Sequence, residues 1–415
     1  MKIAIVGAGI SGLTVAQLLK DHSEVSVFEQ EPRAGGLLKC RVVEGSLFHT
    51  CGGHVFNTKS SAVEKWFWSK FDKANEFVKA DRKSAIYMDD GRFVEYPIEN
   101  HVYMLGKKDQ LSVVNDWLQL YKDNPQPRNL EEFLLGRFGR TLYDLYFKPY
   151  NSKIWNCDLS AIPLDWLDGK LPMPTISQMI TANIDHTKEK EFVHSSFYYP
   201  RHSGSQFIID KLSDGVTIRC NENAAAIDCN EFGQITVNGE KFDEVFFCGN
   251  LKDLPKIAKP GLGIVKFYKE IDNLHSHGTT SVFCESDPIP YSWFYQPSMK
   301  HDSHRFICTG NFSSNNNAPG KMTCVVEFTG HKKTDDICEQ LGKMPFHPKY
   351  LSHNYSPCTY PIQNTSTRAL VAAIKDSLRL RHVRLVGRFA EWEYYNMDAA
   401  IQSAMKEVDN FNCAQ

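Results

Sequence analysis

KIAIVGAGISGLTVAQLL, residues 2–19, could be taken for a signal peptide or a membrane anchor. It lacks a small-residue cleavage site, three glycines interrupt it, and Lys20 and Asp21 close it before it reaches spanning length. It reads instead as strand, tight turn and helix. Ile3, Ile5 and Val6 make a short buried strand, and Gly7, Gly9 and Gly12 then give G-x-G-x-x-G. The first glycine permits the turn, the second lets a pyrophosphate approach the backbone, and the third lets the helix pack closely on the strand. The helix N-terminus offers N–H groups to phosphates. Leu13, Ala16, Gln17 and Leu19 continue at helical rather than alternating spacing.

The next strand, EVSVFEQ (24–30), ends at Glu29. That is about 20 residues past the glycines, where a carboxylate can hold a ribose hydroxyl pair. The set predicts an α/β, Rossmann-like dinucleotide-binding unit. EPRAGGLLKC (31–40) follows. Arg33 can meet a phosphate, and Gly35 and Gly36 let the chain pass beside a cofactor. This R-x-G-G element resembles that of flavoproteins in the amine oxidase and glutathione reductase superfamily. The resemblance implies FAD, with Gly7, Gly9, Ser11, Gly12, Glu29, Gln30, Arg33, Gly35, Gly36 and Leu37 around it.

Composition narrows the partners. With 415 residues the chain is long enough for several lobes. A formal net charge of -2 gives no electrostatic case for nucleic acid or an acidic membrane. The 12 cysteines include no Cys-x-x-Cys pair and no zinc-like spacing. No metal site is expected, and the thiols are expected reduced in a cytoplasmic protein without a membrane span.

Beyond the opening unit, FHTCGGHVFNT (48–58) is a compact loop in which His54 is a candidate group against a cofactor ring. SAIYMDDGRFVEYPI (84–98) reads as a hairpin turning at Asp90-Gly91. Residues 99–190 are helical in pattern, with a break expected at KPYNSKIWNCDLSAIPLDWL because of Pro149 and Pro163. Residues 261–330 read as a run of β-strands. The organisation expected is a discontinuous FAD-binding domain (1–83, 200–260 and 360–415). Two parts are inserted into it: a mainly helical subdomain (99–199) and an antiparallel β-sheet substrate domain (84–98 and 261–359).

Three further islands carry a closer resemblance. They are YPIQNTSTRAL (360–370), VRLVGRFAEWEYYNMDAAIQSAM (383–405) and FKPYNSKIWN (147–156). With GGHVFNT (52–58), they resemble the UDP-galactopyranose mutases, whose pattern is matched at Gly387, Arg388, Trp392, Tyr394, Asn396, Met397 and Asp398. The resemblance implies a sugar-nucleotide substrate and a pyranose/furanose ring interconversion through a reduced-flavin N5–sugar adduct, with no net redox change. It places Gly387, Arg388, Asn396 and Met397 at the cofactor, and Tyr150, Trp155 and Tyr394 at the substrate. Arg388, Tyr394 and His54 are the catalytic candidates. A helix beginning near Asn396 would turn its positive end towards the reduced flavin, with Asn396 as cap and Met397, Ala400, Ile401, Ala404 and Met405 as its buried face.

The chain departs from that pattern where the mutases place arginines on the diphosphate, with Pro174 and Ser292 standing there, and the second histidine of the loop is Asn57. Arg201, Arg305 and Arg368 are the candidates to substitute. Two other readings stay open: a flavin oxidase or dehydrogenase of the amine oxidase or protoporphyrinogen oxidase type, and a non-catalytic member of the fold resembling Rab escort-type proteins.

Overall fold

The computed structural model describes residues 1–123, 126–164, 174–187 and 195–413. The architecture is α/β, with a Rossmann-like unit and a separate mixed sheet. The first sheet has five parallel strands in the order Val383–Leu385, Glu244–Phe247, Lys2–Val6, Glu24–Glu29, Thr217–Cys220. Its central strand alternates between two cores, as the period of two requires. Ile3 and Ile5 pack with Leu13 and Ala16 of the first helix, Ile10–Leu19, and with Ile401 and Ala404 of the closing helix, Met397–Cys413. Ala4 and Val6 face the other way, towards the helix Thr367–Arg379 and a small three-stranded antiparallel sheet at residues 227–242.

The second sheet has seven strands, in the order Lys349–Ile362, His275–Glu285, Thr323–Thr329, Ser303–Ile307, Trp293–Tyr295, Ser84–Tyr87, Phe93–Glu95. An antiparallel sheet is expected from the sequence, but Ser84–Tyr87 runs parallel to Trp293–Tyr295. The chain leaves this edge through the helical segment and returns only after a long excursion, and a long crossover lets the returning strand run in the same direction. The expected hairpin at 84–98 forms, with Met88 N–H donating to the Arg92 carbonyl across the turn.

The helical segment contains Lys107–Asp123, Leu130–Phe138, Lys148–Trp155 and Ile176–Asp185. Pro149 does not break it. It lies inside a helix that runs unbroken from Arg140 to Trp155, directly after a π-turn at Tyr143–Phe147 that loosens the backbone ladder where the proline has no N–H to give. One interruption comes earlier, at Gly139, whose φ is 88°, and the expected break within KPYNSKIWNCDLSAIPLDWL comes at Asn156, whose φ is 49°. Residues 165–173 and 188–194 of the expected helical stretch lie outside the described residues. The strand run expected from 261 starts only at His275. Before it stand the short helices Val265–Phe267 and Tyr268–Asp272, the second of which buries Ile271 in the core shared with the three-stranded sheet. No described helix is long and apolar enough to cross a membrane.

Candidate active site

The glycine elbow is built as the motif requires. Gly7 has φ 102°, and a Cβ on Gly12 would lie 2.0 Å from the Gly7 carbonyl oxygen, so neither position tolerates a side chain. Gly9 and Gly36 face each other bare. A Cβ on Gly36, whose φ is 53°, would come within 3.3 Å of the Gly9 Cα. The first helix has no side-chain cap at Gly9, which leaves its first N–H groups for an anion. Glu29 ends the second strand, and its carboxylate accepts from Ala8 N–H and Glu31 N–H, 2.9 Å each. Two acceptor positions thus organise the elbow, and lone pairs remain for ribose hydroxyls. These residues fit a dinucleotide.

Not every expected contact points inward. Arg33 lies on the surface, paired with Asp210 at 2.7 Å, because the helix Gln206–Leu212 sets a carboxylate beside it. Gln30 is exposed and Leu37 half-buried.

The closing segment meets the elbow directly. Gly387, at φ 97°, lies so close to Ser11 that a Cβ there would be 2.3 Å from the Ser11 Oγ. Its N–H donates to a carboxylate oxygen of Glu391 at 2.8 Å, and Ser403 and Lys375 bind the same carboxylate. Four of the five residues expected on the closing helix's buried face are buried, and Met405 is partly so. Asn396 does not cap this helix. Among the described residues its side chain takes no bond from the first turn, and only its carbonyl accepts, from Ala400 N–H at 2.9 Å. The helix N-terminus beside Met397 is therefore open.

Next to it stands an aromatic and cationic cluster. Tyr360 and Tyr394 stack with centroids 5.7 Å apart, and Trp155 meets both edge-on at 5.8 Å. The Arg388 guanidinium lies 4.4 Å from the Tyr394 ring centroid and 5.6 Å from that of Tyr360. It donates to the carbonyls of Tyr395 and Thr359, while its buried Nε has no partner. Arg305 reaches the same tyrosine from the second sheet, its Nη2 donating to the Tyr360 hydroxyl at 3.1 Å. Its Nε donates to Glu327, the residue opposite it in the strand register. Burial opposes charge on both partners. Arg305, with His304, outweighs it and holds the Glu327 carboxyl well below the usual range, and Glu327 keeps Arg305 charged. Glu327 also accepts from Gly52 N–H at 2.8 Å, tying down the loop that carries His54.

Burial, then the Arg388 charge, pushes His54 down to about 4, so it is neutral at pH 7. Its Nε2 is buried without a protein partner. Tyr150 packs against Tyr295 at 5.1 Å, and burial raises it well above the ordinary phenol range. Arg388, Tyr394, His54, Tyr150 and Trp155 are thus brought to one region. Of the candidate substitutes only Arg305 joins them. Arg201 donates to the Ala74 carbonyl, and Arg368 pairs with Glu393 at 3.0 Å on the surface. Ser292 is buried and takes Lys83 N–H, Asn57 donates to the Ser196 carbonyl, and the Pro174 carbonyl accepts from Arg137.

Glu327 went unnoticed in the sequence. The signal was an acid inside the otherwise apolar TCVVEFT strand, a position that demands a counter-charge.

Residues 5–71 match the NAD(P)-binding Rossmann-like domain family. The chain is 25% identical to the UDP-galactopyranose mutase of Mycoplasma genitalium over 98% of its own length and 93% of that protein. It is 23% identical to the dTDP-fucopyranose mutase of Escherichia coli, over 100% and 97% respectively. In three dimensions it overlays reduced UDP-galactopyranose mutase with a TM-score of 0.89 at 20% identity, covering 100% of this chain and 94% of that one. A cofactor-binding redesign of putrescine oxidase overlays with a TM-score of 0.68 at 13% identity, covering 99% of each. The chain resembles the UDP-galactopyranose mutases from end to end.

Proposed function

We propose that this chain is an enzyme, a FAD-dependent sugar-nucleotide mutase that interconverts pyranose and furanose rings without net redox change. The observation that carries the reading is the meeting of two guanidinium groups, Arg305 and Arg388, on Tyr360. A pair of fixed cations in a largely buried setting suits a diphosphate, whose charge grows as it leaves the sugar. The relatives supply the nucleotide classes to try, uridine and thymidine diphosphates.

Bound in its reduced form, FAD would supply nucleophilic chemistry at the sugar. The chain's own residues do the rest. The elbow at Gly7–Gly12 and Glu29 hold the dinucleotide, and the uncapped start of Met397–Cys413 favours negative charge beside it. Arg305 and Arg388 bind the diphosphate and stabilise it as it departs. Tyr360, Tyr394 and Trp155 wall the sugar and exclude water. His54, neutral with an unpartnered Nε2, can exchange a proton with a sugar hydroxyl when the ring opens.

The oxidase reading is retained because of the putrescine oxidase overlay. One experiment separates the two. Purified protein is loaded with FAD, reduced with dithionite and incubated with UDP- and dTDP-sugars, and products are resolved by chromatography. The mutase reading expects ring-isomerised product only from reduced protein. Absence of product across the panel, with substrate-driven bleaching of oxidised flavin and peroxide release, would replace it with the oxidase.

A further inference from the structure

Lys153 lies on the helix that carries Tyr150 and Trp155, one turn on from Tyr150, whose ring packs on Tyr295. Its ammonium donates to four main-chain carbonyls: Gln296 at 2.9 Å, Ser298 at 2.5 Å, His301 at 2.6 Å and Ser303 at 3.0 Å. An ammonium has three protons, so at least one is shared. Three of the four oxygens belong to the loop joining Trp293–Tyr295 to Ser303–Ile307, which curls round the Nζ, and the fourth is that of Ser303, the first residue of the second strand. Burying that charge carries a penalty, and burial pushes the group down to about 8. The carbonyl ring is what makes the site tenable, since among the described residues no carboxylate bonds to it; Asp302 is engaged by Lys332 at 2.5 Å. Tyr295 and Arg305 flank this loop, while Tyr150 and Trp155 flank Lys153. A single cation therefore pins one wall of the aromatic–arginine cluster to the other.

We propose that Lys153 is a tethered monovalent cation, a positioning residue that assembles the substrate-facing wall, and that its carbonyl ring is a latent binding site for a free potassium or ammonium ion. Rings of neutral carbonyls replace the hydration shell of a monovalent ion. Divalent ions lean on anionic carboxylates, which this ring lacks. The positioning role rests on the proposed function, because it assumes that Arg305 and Tyr295 serve the substrate. The ion site does not.

The test uses FAD-loaded full-length Lys153→Ala and Lys153→Met in Tris or choline chloride, with potassium, ammonium, methylammonium or lithium chloride added at constant ionic strength. Lys153→Ala is expected to melt lower than the parent in choline. It should recover saturably with potassium, ammonium or methylammonium and stay unmoved by lithium, while the parent ignores cation identity. Lys153→Met, which fills the space with an apolar chain, should show no ion response. Turnover of Lys153→Ala should fall by up to about a hundredfold in choline and rise with the same ions.

Melting of Lys153→Ala that ignores cation identity, or failure to fold in every salt, overturns the ion site. Lys153→Met with parental kcat overturns the positioning role. Ion-specific recovery of melting in a protein whose parent converts no sugar nucleotide leaves the ion site standing and removes the function it was meant to serve.

Discussion

Arg305 and Glu327 are each intolerable alone. A carboxylate with no exposed surface needs its cation, and the cation is also the one proposed to take a diphosphate. Arg305→Ala should therefore fail twice. Loss of a charge-assisted contact costs about 1.5–3 kcal/mol, or roughly ten- to a hundredfold in kcat/KM. The stranded Glu327 should also destabilise the fold by about 3–5 kcal/mol. The double variant Arg305→Met/Glu327→Met should regain most of the stability in urea melts and none of the activity. Recovery of both would show the arginine to be structural only. Glu99 is the opposite case. Burial raises it to about 7, above its unfolded value of 4.5, so its contribution is fully present below pH 4.5 and lost as pH rises through 7. That loss approaches roughly 3 kcal/mol by pH 8. Glu99→Gln should melt above the parent at pH 8 and no higher at pH 5; equal melting at pH 8 would contradict the burial argument. At this scale the sequence named His54 from its loop and Arg388 and Tyr394 from the resemblance, and the structure brings the three to one region. It could not expose the ring around Lys153, because backbone carbonyls are the same on every residue.

The elements were legible wherever period and turn chemistry agreed. The opening strand–turn–helix, the hairpin at Asp90-Gly91 and the buried face of the closing helix follow from local rules. The helix across Pro149 is not legible from local rules, because the π-turn at Tyr143–Phe147 that lets an interior proline stand leaves no mark in the residue types. Arg33 was aimed at phosphate because its partner Asp210 is distant in sequence, and long-range pairing leaves no local mark. Gly387 is the joint between two elements, and its φ of 97° and contact with Ser11 make a sharp prediction. Gly387→Ala should lose at least about 1–3 kcal/mol from the forced backbone alone. It should also bind FAD in reduced stoichiometry, read from the flavin absorbance of purified protein. Ser11→Gly in the same chain relieves the steric clash but not the backbone strain, so partial recovery of flavin content is expected. Full flavin content in Gly387→Ala would mean that the turn is not at the cofactor.

Across the whole molecule, the parallel sheet is assembled from segments that begin at residues 2, 24, 217, 244 and 383. The resemblance to flavoproteins implied such interleaving, but not the parallel pair between Ser84–Tyr87 and Trp293–Tyr295, since strand direction across a long excursion is a property of the path. A ligand spanning the elbow and the closing turn should stabilise all these pieces together. FAD at about a hundredfold above its Kd is expected to add about 2.7 kcal/mol, seen as a rise in the melting midpoint that NAD does not reproduce. A midpoint indifferent to FAD would contradict cofactor binding. Gly387 pressed on Ser11 also sets an order in time. The ribosome releases the elbow well before the turn that completes it. A nascent chain can form the central strand early, yet it has no finished seat for the coenzyme until translation has passed residue 388. Loading then waits for the turn at Gly387, and the unfinished sheet is the surface a chaperone would meet.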